Sequence, residues 1–110
     1  MKNNKKVMYI SLPMTGRDMQ EIKDRLAYLK DKLSKYYNII TPLDLVEDND
    51  YTKPYGYYIG KDIEYIKEKV DIVCFDGNWY QSKGCKMEHY CARTYDKDIK
   101  YTNDYAKISK

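Results

Sequence analysis

The chain has 110 residues, enough for one domain with one core and too few for two. Its 20 basic and 17 acidic residues are scattered, so the net charge of +3 supplies no dense basic stripe for a nucleic acid polymer, while a small anionic ligand remains compatible. Three cysteines, Cys74, Cys85 and Cys91, are odd in number and lack C-x-x-C spacing, which argues against a disulfide framework and for a reducing, cytoplasmic setting.

The N-terminal "MKNNKK" is basic, but the apolar run behind it is too short for a signal-peptide core or a membrane span, so no membrane partner is expected. "KVMYIS" (6 to 11) reads as a first strand, broken by Pro13 and Gly16 in "LPMTG". From Arg17 to about Tyr36, Met19, Ile22, Leu26, Leu29 and Leu33 recur at helical spacing. "NIIT" (38 to 41) is a second strand stopped by Pro42, and residues 43 to 56 mix acids, Pro and Gly as a surface loop and candidate lid. A second helix follows through Ile59, Ile63 and Ile66, and "VDIVCF" (70 to 75) has the continuous apolar character of a central parallel strand.

After the turn "DGNWYQS" a third helix begins near Gly84 and carries Gly84, Glu88, Cys91 and Tyr95 on one stripe. Glu88 is therefore either the solvated edge of a buried face, paired with a lysine, or a carboxyl group held in a pocket. "DIKYT" (98 to 102) is a fourth strand, with a polar, loosely held tail behind it. The alternation of strand and helix favours an α/β three-layer sandwich of Rossmann-like type: a parallel sheet of four to five strands in the order 2-1-3-4, with helices on both faces. The domain spans residues 1 to 110, with its core between about 6 and 102.

In such sheets a ligand binds beyond the carboxyl ends of the strands where the strand order reverses, here between strands one and three. The loops after those strands place Ser11, Thr15, Gly16, Arg17, Ser82, Lys83 and Gly84 ahead of helix N-termini, a plausible cradle for a phosphate or carboxylate. Thr15 and Ser82 also fit as simple helix caps. Cys85, His89 and Cys91 project in different directions from one helix, so neither a metal nor another cofactor is expected. Asp76, at the end of the central strand, is a spare acid, and Trp79 either stacks on a base or covers the sheet edge.

"YISLPMTGRD", "YYIGKDIEYI" and "NWYQSKGCKMEH", in this order, resemble a family of small proteins of uncharacterised function. That family is related to the nucleoside 2-deoxyribosyltransferases and the 2'-deoxynucleoside 5'-monophosphate N-glycosidases, and the resemblance covers most of residues 6 to 101. It implies a flavodoxin-like fold, a nucleoside or nucleotide as ligand, and a homodimer or larger homo-oligomer. It also implies that Glu88 is the nucleophile, that Asp62 assists departure of the base, that Ser82 contacts the sugar or its 5'-phosphate, and that Tyr9 lines the sugar pocket. The enzymes usually carry G-x-G-x-E where this chain has "GCKME", so Lys86 is expected to restrict the approach of a ligand, and Leu12 replaces a common glycine in the first loop.

Cleaving an N-glycosidic bond with retention takes one carboxylate to attack the anomeric carbon and a second group to protonate the base. Their pKa values must be pushed apart. Asp62, flanked by Ile59 and Ile63, is expected to be the raised one, with Lys86 or the helix N-terminus keeping Glu88 charged. Water in the second step gives a hydrolase and another base gives a transferase. The alternative is a non-catalytic protein that binds or sequesters a nucleotide or nucleotide-derived signal.

Overall fold

The computed structural model describes residues 5–47 and 50–105. The far end of the polar C-terminal tail, residues 106–110, lies outside them. Four parallel strands, β1 (Val7–Ser11), β2 (Asn38–Ile40), β3 (Ile72–Phe75) and β4 (Asp98–Tyr101), pair in the order β2-β1-β3-β4. Three helices connect them: α1 (Met19–Leu33), α2 (Tyr55–Lys69) and α3 (Lys83–Thr94). This is the α/β sandwich and the strand order expected from the sequence.

Strand parity decides what goes where, because successive side chains point to opposite faces of the sheet. From β1 and just beyond it, Met8, Ile10 and Leu12 join Ile22, Leu26, Leu29 and Leu33 of α1 in one core cluster, with Ile39, Ile72 and Cys74 from the neighbouring strands. Tyr9 goes the other way, into a second cluster with Val73 and Phe75 of the sheet, Ile66 of α2 and Cys85, Cys91 and Ala92 of α3. One helix therefore covers one face and two cover the other. The pairing of Tyr9 with Val73 and of Ser11 with Phe75 fixes the strand ends at which a site can form.

Helix ends depart from the pattern by a few residues, for identifiable reasons. α1 starts at Met19 because the Asp18 carboxylate accepts a hydrogen bond from the Glu21 amide at 3.1 Å, leaving Arg17 in the preceding turn. α2 starts two residues earlier than the apolar spacing suggests, directly after Pro54. The segment expected to be a plain loop opens with a 3-10 turn, Pro42–Leu45, held by Asp44, whose carboxylate accepts from both the amide and the hydroxyl of Thr41. Residues 48–49 of that candidate lid lie outside the described residues.

Asp76 is not a spare acid. Its carboxylate is buried on the α1 side and takes two hydrogen bonds from the Arg25 guanidinium, at 2.7 and 3.0 Å, and a third from the Thr102 hydroxyl at 2.7 Å. The hydrogen bonds from the α1 guanidinium and from the residue after β4 tie the α1 face to the end of the sheet. Arg25→Ala leaves a buried carboxylate with one partner, and is expected to lower unfolding stability by about 2 kcal/mol, read as a lower urea midpoint with unchanged slope.

Tyr95 is a second correction: it closes α3 half exposed, rather than facing the sheet as its place on the helical stripe implied. By then α3 has turned its buried side through Cys91 and Ala92.

Candidate functional site

The stripe of α3 that packs on the sheet is Cys85, Glu88, Cys91 and Ala92, so a carboxyl group is carried into the interface with β1. Glu88 is only 4% exposed. What makes this tolerable is the odd parity of β1, which sends two hydroxyls to the same face. Ser11 Oγ donates to Glu88 Oε1 at 2.6 Å, and the Tyr9 hydroxyl donates to Glu88 Oε2 at 3.1 Å. Among the described residues no buried side-chain polar atom lacks a partner.

Asp62 comes from α2 and stands near Glu88, each carboxyl acting on the other's titration. Burial raises both groups. It lifts Asp62 to about 6, opposed by hydrogen bonding to Glu88 and Tyr9 and by the Lys61 charge. Burial and then the Asp62 charge push Glu88 up to about 8, with the Ser11 hydrogen bond pulling the other way. Burial likewise raises Tyr9 well above its ordinary value, aided by the Glu88 charge, so its hydroxyl stays a donor. Both carboxyls are thus raised by burial, and near neutral pH the pair, rather than either residue alone, holds one proton.

Asp62 is raised by burial as expected, but Glu88 is raised too, where Lys86 was expected to keep it charged. Lys86 is exposed and lies on another groove, with Ile63, Met87 and Tyr90. Two residues from Glu88 is more than half a turn of helix, which points Lys86 away from the dyad. It neither supports a charge on Glu88 nor narrows the space in front of it.

Glu88 and Asp62 line a cavity of about 240 Å³ at the carboxyl ends of the strands, together with Thr15, Arg17, Ser82 and Gly84 of the expected cradle. Thr15, Arg17 and Ser82 also line an adjoining hollow of about 710 Å³, to which Lys83 and Asn78 belong. Two cationic side chains and the start of α3 thus meet at one side of the cavity. Ser82 is the cap of α3, its hydroxyl accepting from the Cys85 amide at 3.2 Å, and it lines both hollows. Arg17 is steadied by Glu21 at 2.9 Å and by donation to the Pro13 carbonyl at 2.8 Å.

Three expected residues stand elsewhere. Ser11, fully buried, serves Glu88 rather than the anion cradle. Gly16 takes φ +79 in the turn before α1, a backbone role. Trp79 covers the end of the sheet, stacked on His89 at 4.4 Å between centroids and packed on Phe75 at 5.0 Å, outside the cavity lining.

Gly84 is needed for space. A methyl group there would overlap the hydroxyl of Tyr55 on the cavity rim. Because Tyr55 is half exposed and can swing outward, Gly84→Ala is expected to change stability by no more than about 1 kcal/mol. The same variant should weaken binding of any small molecule seated in the cavity about tenfold, as thermal melts and calorimetry would show.

Sequence reasoning missed the apolar wall of the cavity, where Met14, Leu45 and Val46 join Leu12 and Ile22, and the free thiol of Cys85 beside Ser11 and Ser82. Leu45 and Val46 follow β2, whose carboxyl end opens on the same side as those of β1 and β3, and that position is the signal that would have found them. Among the described residues no group of three His, Cys, Asp or Glu side chains is arranged to hold a metal ion. No described helix is long and apolar enough to cross a membrane.

Residues 6–101 match the family described as a domain of unknown function, DUF4406. No curated protein matches the chain.

Proposed function

The chain belongs to the DUF4406 family, and from its site we propose that it cleaves or transfers the N-glycosidic bond of a (deoxy)nucleoside 5'-monophosphate, with Glu88 as nucleophile and Asp62 as acid. The observation that carries this reading is a buried carboxyl, Glu88, held on two hydroxyls beside the half-buried carboxyl of Asp62 at the switch point of the sheet, both facing a cavity with a cationic rim. The kinship to the nucleoside 2-deoxyribosyltransferases and monophosphate glycosidases, suggested by the three sequence motifs, belongs to the same proposal.

The chemistry follows from the one proton that the pair holds. With it on Asp62 the site contains a carboxylate nucleophile and a carboxylic acid together. A Glu88 oxygen then bonds to the anomeric carbon as the carbon–nitrogen bond breaks, and the bond's electron pair leaves with the base, which takes the Asp62 proton. In the second step Asp62, now ionised, takes a proton from water, the hydroxyl attacks the anomeric carbon, and Glu88 is released. A second base in place of water gives transfer. Ser11 and Tyr9 hold the carboxylate at its attack position, and Thr15, Arg17, Ser82 and Lys83 receive the 5'-phosphate near the start of α3.

A second reading is supported by the raised titration of the buried Glu88: a carboxyl that keeps its proton can donate a hydrogen bond to a bound nucleotide without attacking it, as in a binding or sequestering protein. The two separate on a panel of nucleosides, their monophosphates and sugar phosphates. Either reading predicts a raised melting temperature with a monophosphate, and only the first predicts free base in the supernatant. No shift with any of them removes both.

A further inference from the structure

The cavity is polar at one end only. Away from the carboxyls and the cationic rim its wall is made of Leu12, Met14, Ile22, Pro42, Leu45 and Val46, which offer no side-chain donor and, in the Met14 thioether, only a weak acceptor. The polar side chains that do reach it are already engaged. The Tyr58 hydroxyl donates to the Asp50 carbonyl and accepts from the Lys53 amide, both at 2.8 Å, and Lys61 pairs with Glu47 at 2.9 Å. Tyr51 and Tyr55 are exposed by 41% and 53%, at the mouth rather than the floor. Pro42 has no amide to offer.

Four of the residues lining the cavity also line the adjoining hollow, namely Thr15, Arg17, Tyr55 and Ser82, and none of the six apolar wall residues does. A nucleotide with its phosphate at that shared rim and its anomeric carbon at Glu88 has only the apolar end left for its base. Resting on the glycosidase reading, we propose that the protein selects the base by shape and apolar contact, not by hydrogen bonds to its edge. Its substrate class is then a range of nucleoside monophosphates, including those whose base carries an alkyl substituent. A site that pairs with a polar group rejects an analogue lacking it by a factor of about 10⁴–10⁵, whereas an apolar wall discriminates by only about 10–200-fold. The two methionines near the wall, Met14 and Met19, suit such tolerance, since their unbranched side chains repack around differing outlines.

The test is kcat/KM for base release from the four common deoxynucleoside monophosphates and an N-alkylated purine monophosphate, with affinities for the same five measured on Glu88→Gln. A spread in rate within about 100-fold, with the alkylated base accepted, is expected. One base preferred by more than about 1,000-fold, or rejection of the alkylated one, overturns the inference while leaving the glycosidase reading intact. Val46→Asn, which adds a donor and an acceptor to the half-buried wall, is expected to widen the spread at least tenfold, and an unchanged spread would show that the base sits elsewhere. If nothing is turned over, comparable affinities across the five support shape selection within a binding protein. Absence of binding overturns both.

Discussion

Glu88→Gln is expected to reduce base release by about 1,000-fold or more, because the amide keeps the shape and an acceptor for Ser11 but cannot ionise, and its neutral oxygen is too weak a nucleophile to displace the base. The same variant should be more stable than the natural chain, in a pH-dependent way. Glu88 in the folded protein titrates at about 8, above its ordinary 4.5. The stability it contributes is therefore fully present below the ordinary value and is lost as pH rises toward about 8. Glutamine has no such loss, so the gap should open across that window and reach about 2 kcal/mol at its alkaline end. Denaturant melts at several pH values read it directly. A variant that keeps natural turnover would strip Glu88 of the nucleophile's role, and a gap independent of pH would contradict its buried titration.

The pH dependence of the natural protein is the second large effect. With Asp62 at about 6 and Glu88 at about 8, the pair holds two protons below that window, one inside it and none above. Only the singly protonated pair contains both a nucleophile and an acid. The profile of kcat/KM is therefore expected to be bell-shaped with limbs near those two values, falling about tenfold per pH unit on either side. Asp62→Asn removes the acid and the like charge together. Its rate should fall about 100-fold, and the profile should keep only the limb that rises with pH, displaced downward because Glu88 ionises more easily without a charged neighbour. A natural profile flat from about pH 5 to 9 would exclude the pair as the reacting groups. For a protein that only binds, affinity should instead weaken steadily as Glu88 loses its proton.

The fold was legible because its signals are local and repeated. Period-two and period-3.6 runs alternate along the chain, and the apolar "VDIVCF" leaves little choice but a central strand. The place of Glu88 was only half legible: its helical stripe left a solvated edge and a buried pocket both open, the family resemblance favoured the pocket, and Tyr95 on the same stripe turned out half exposed. The protonation of Glu88 was not legible. Which of two carboxyls holds a proton depends on the desolvation of each and on the hydroxyls of Tyr9 and Ser11, set by packing across 77 and 79 residues of sequence. Asp76 was misread on the same ground, because nothing near it in sequence announces Arg25, 51 residues away. Lys86 was misread by identity when its angular place on the helix, two residues from Glu88, decides that it faces elsewhere.

β1 does two jobs at once, through its even-numbered and its odd-numbered positions. Even positions build the α1 side of the core, while Tyr9 and Ser11 hold the carboxyl. A single-residue insertion within the strand would exchange the two sets, delivering aliphatic groups to Glu88 and hydroxyls to α1, so packing and chemistry would fail in the same event. An insertion of two would preserve the frame. Neither function of the strand is free to drift while the other is kept.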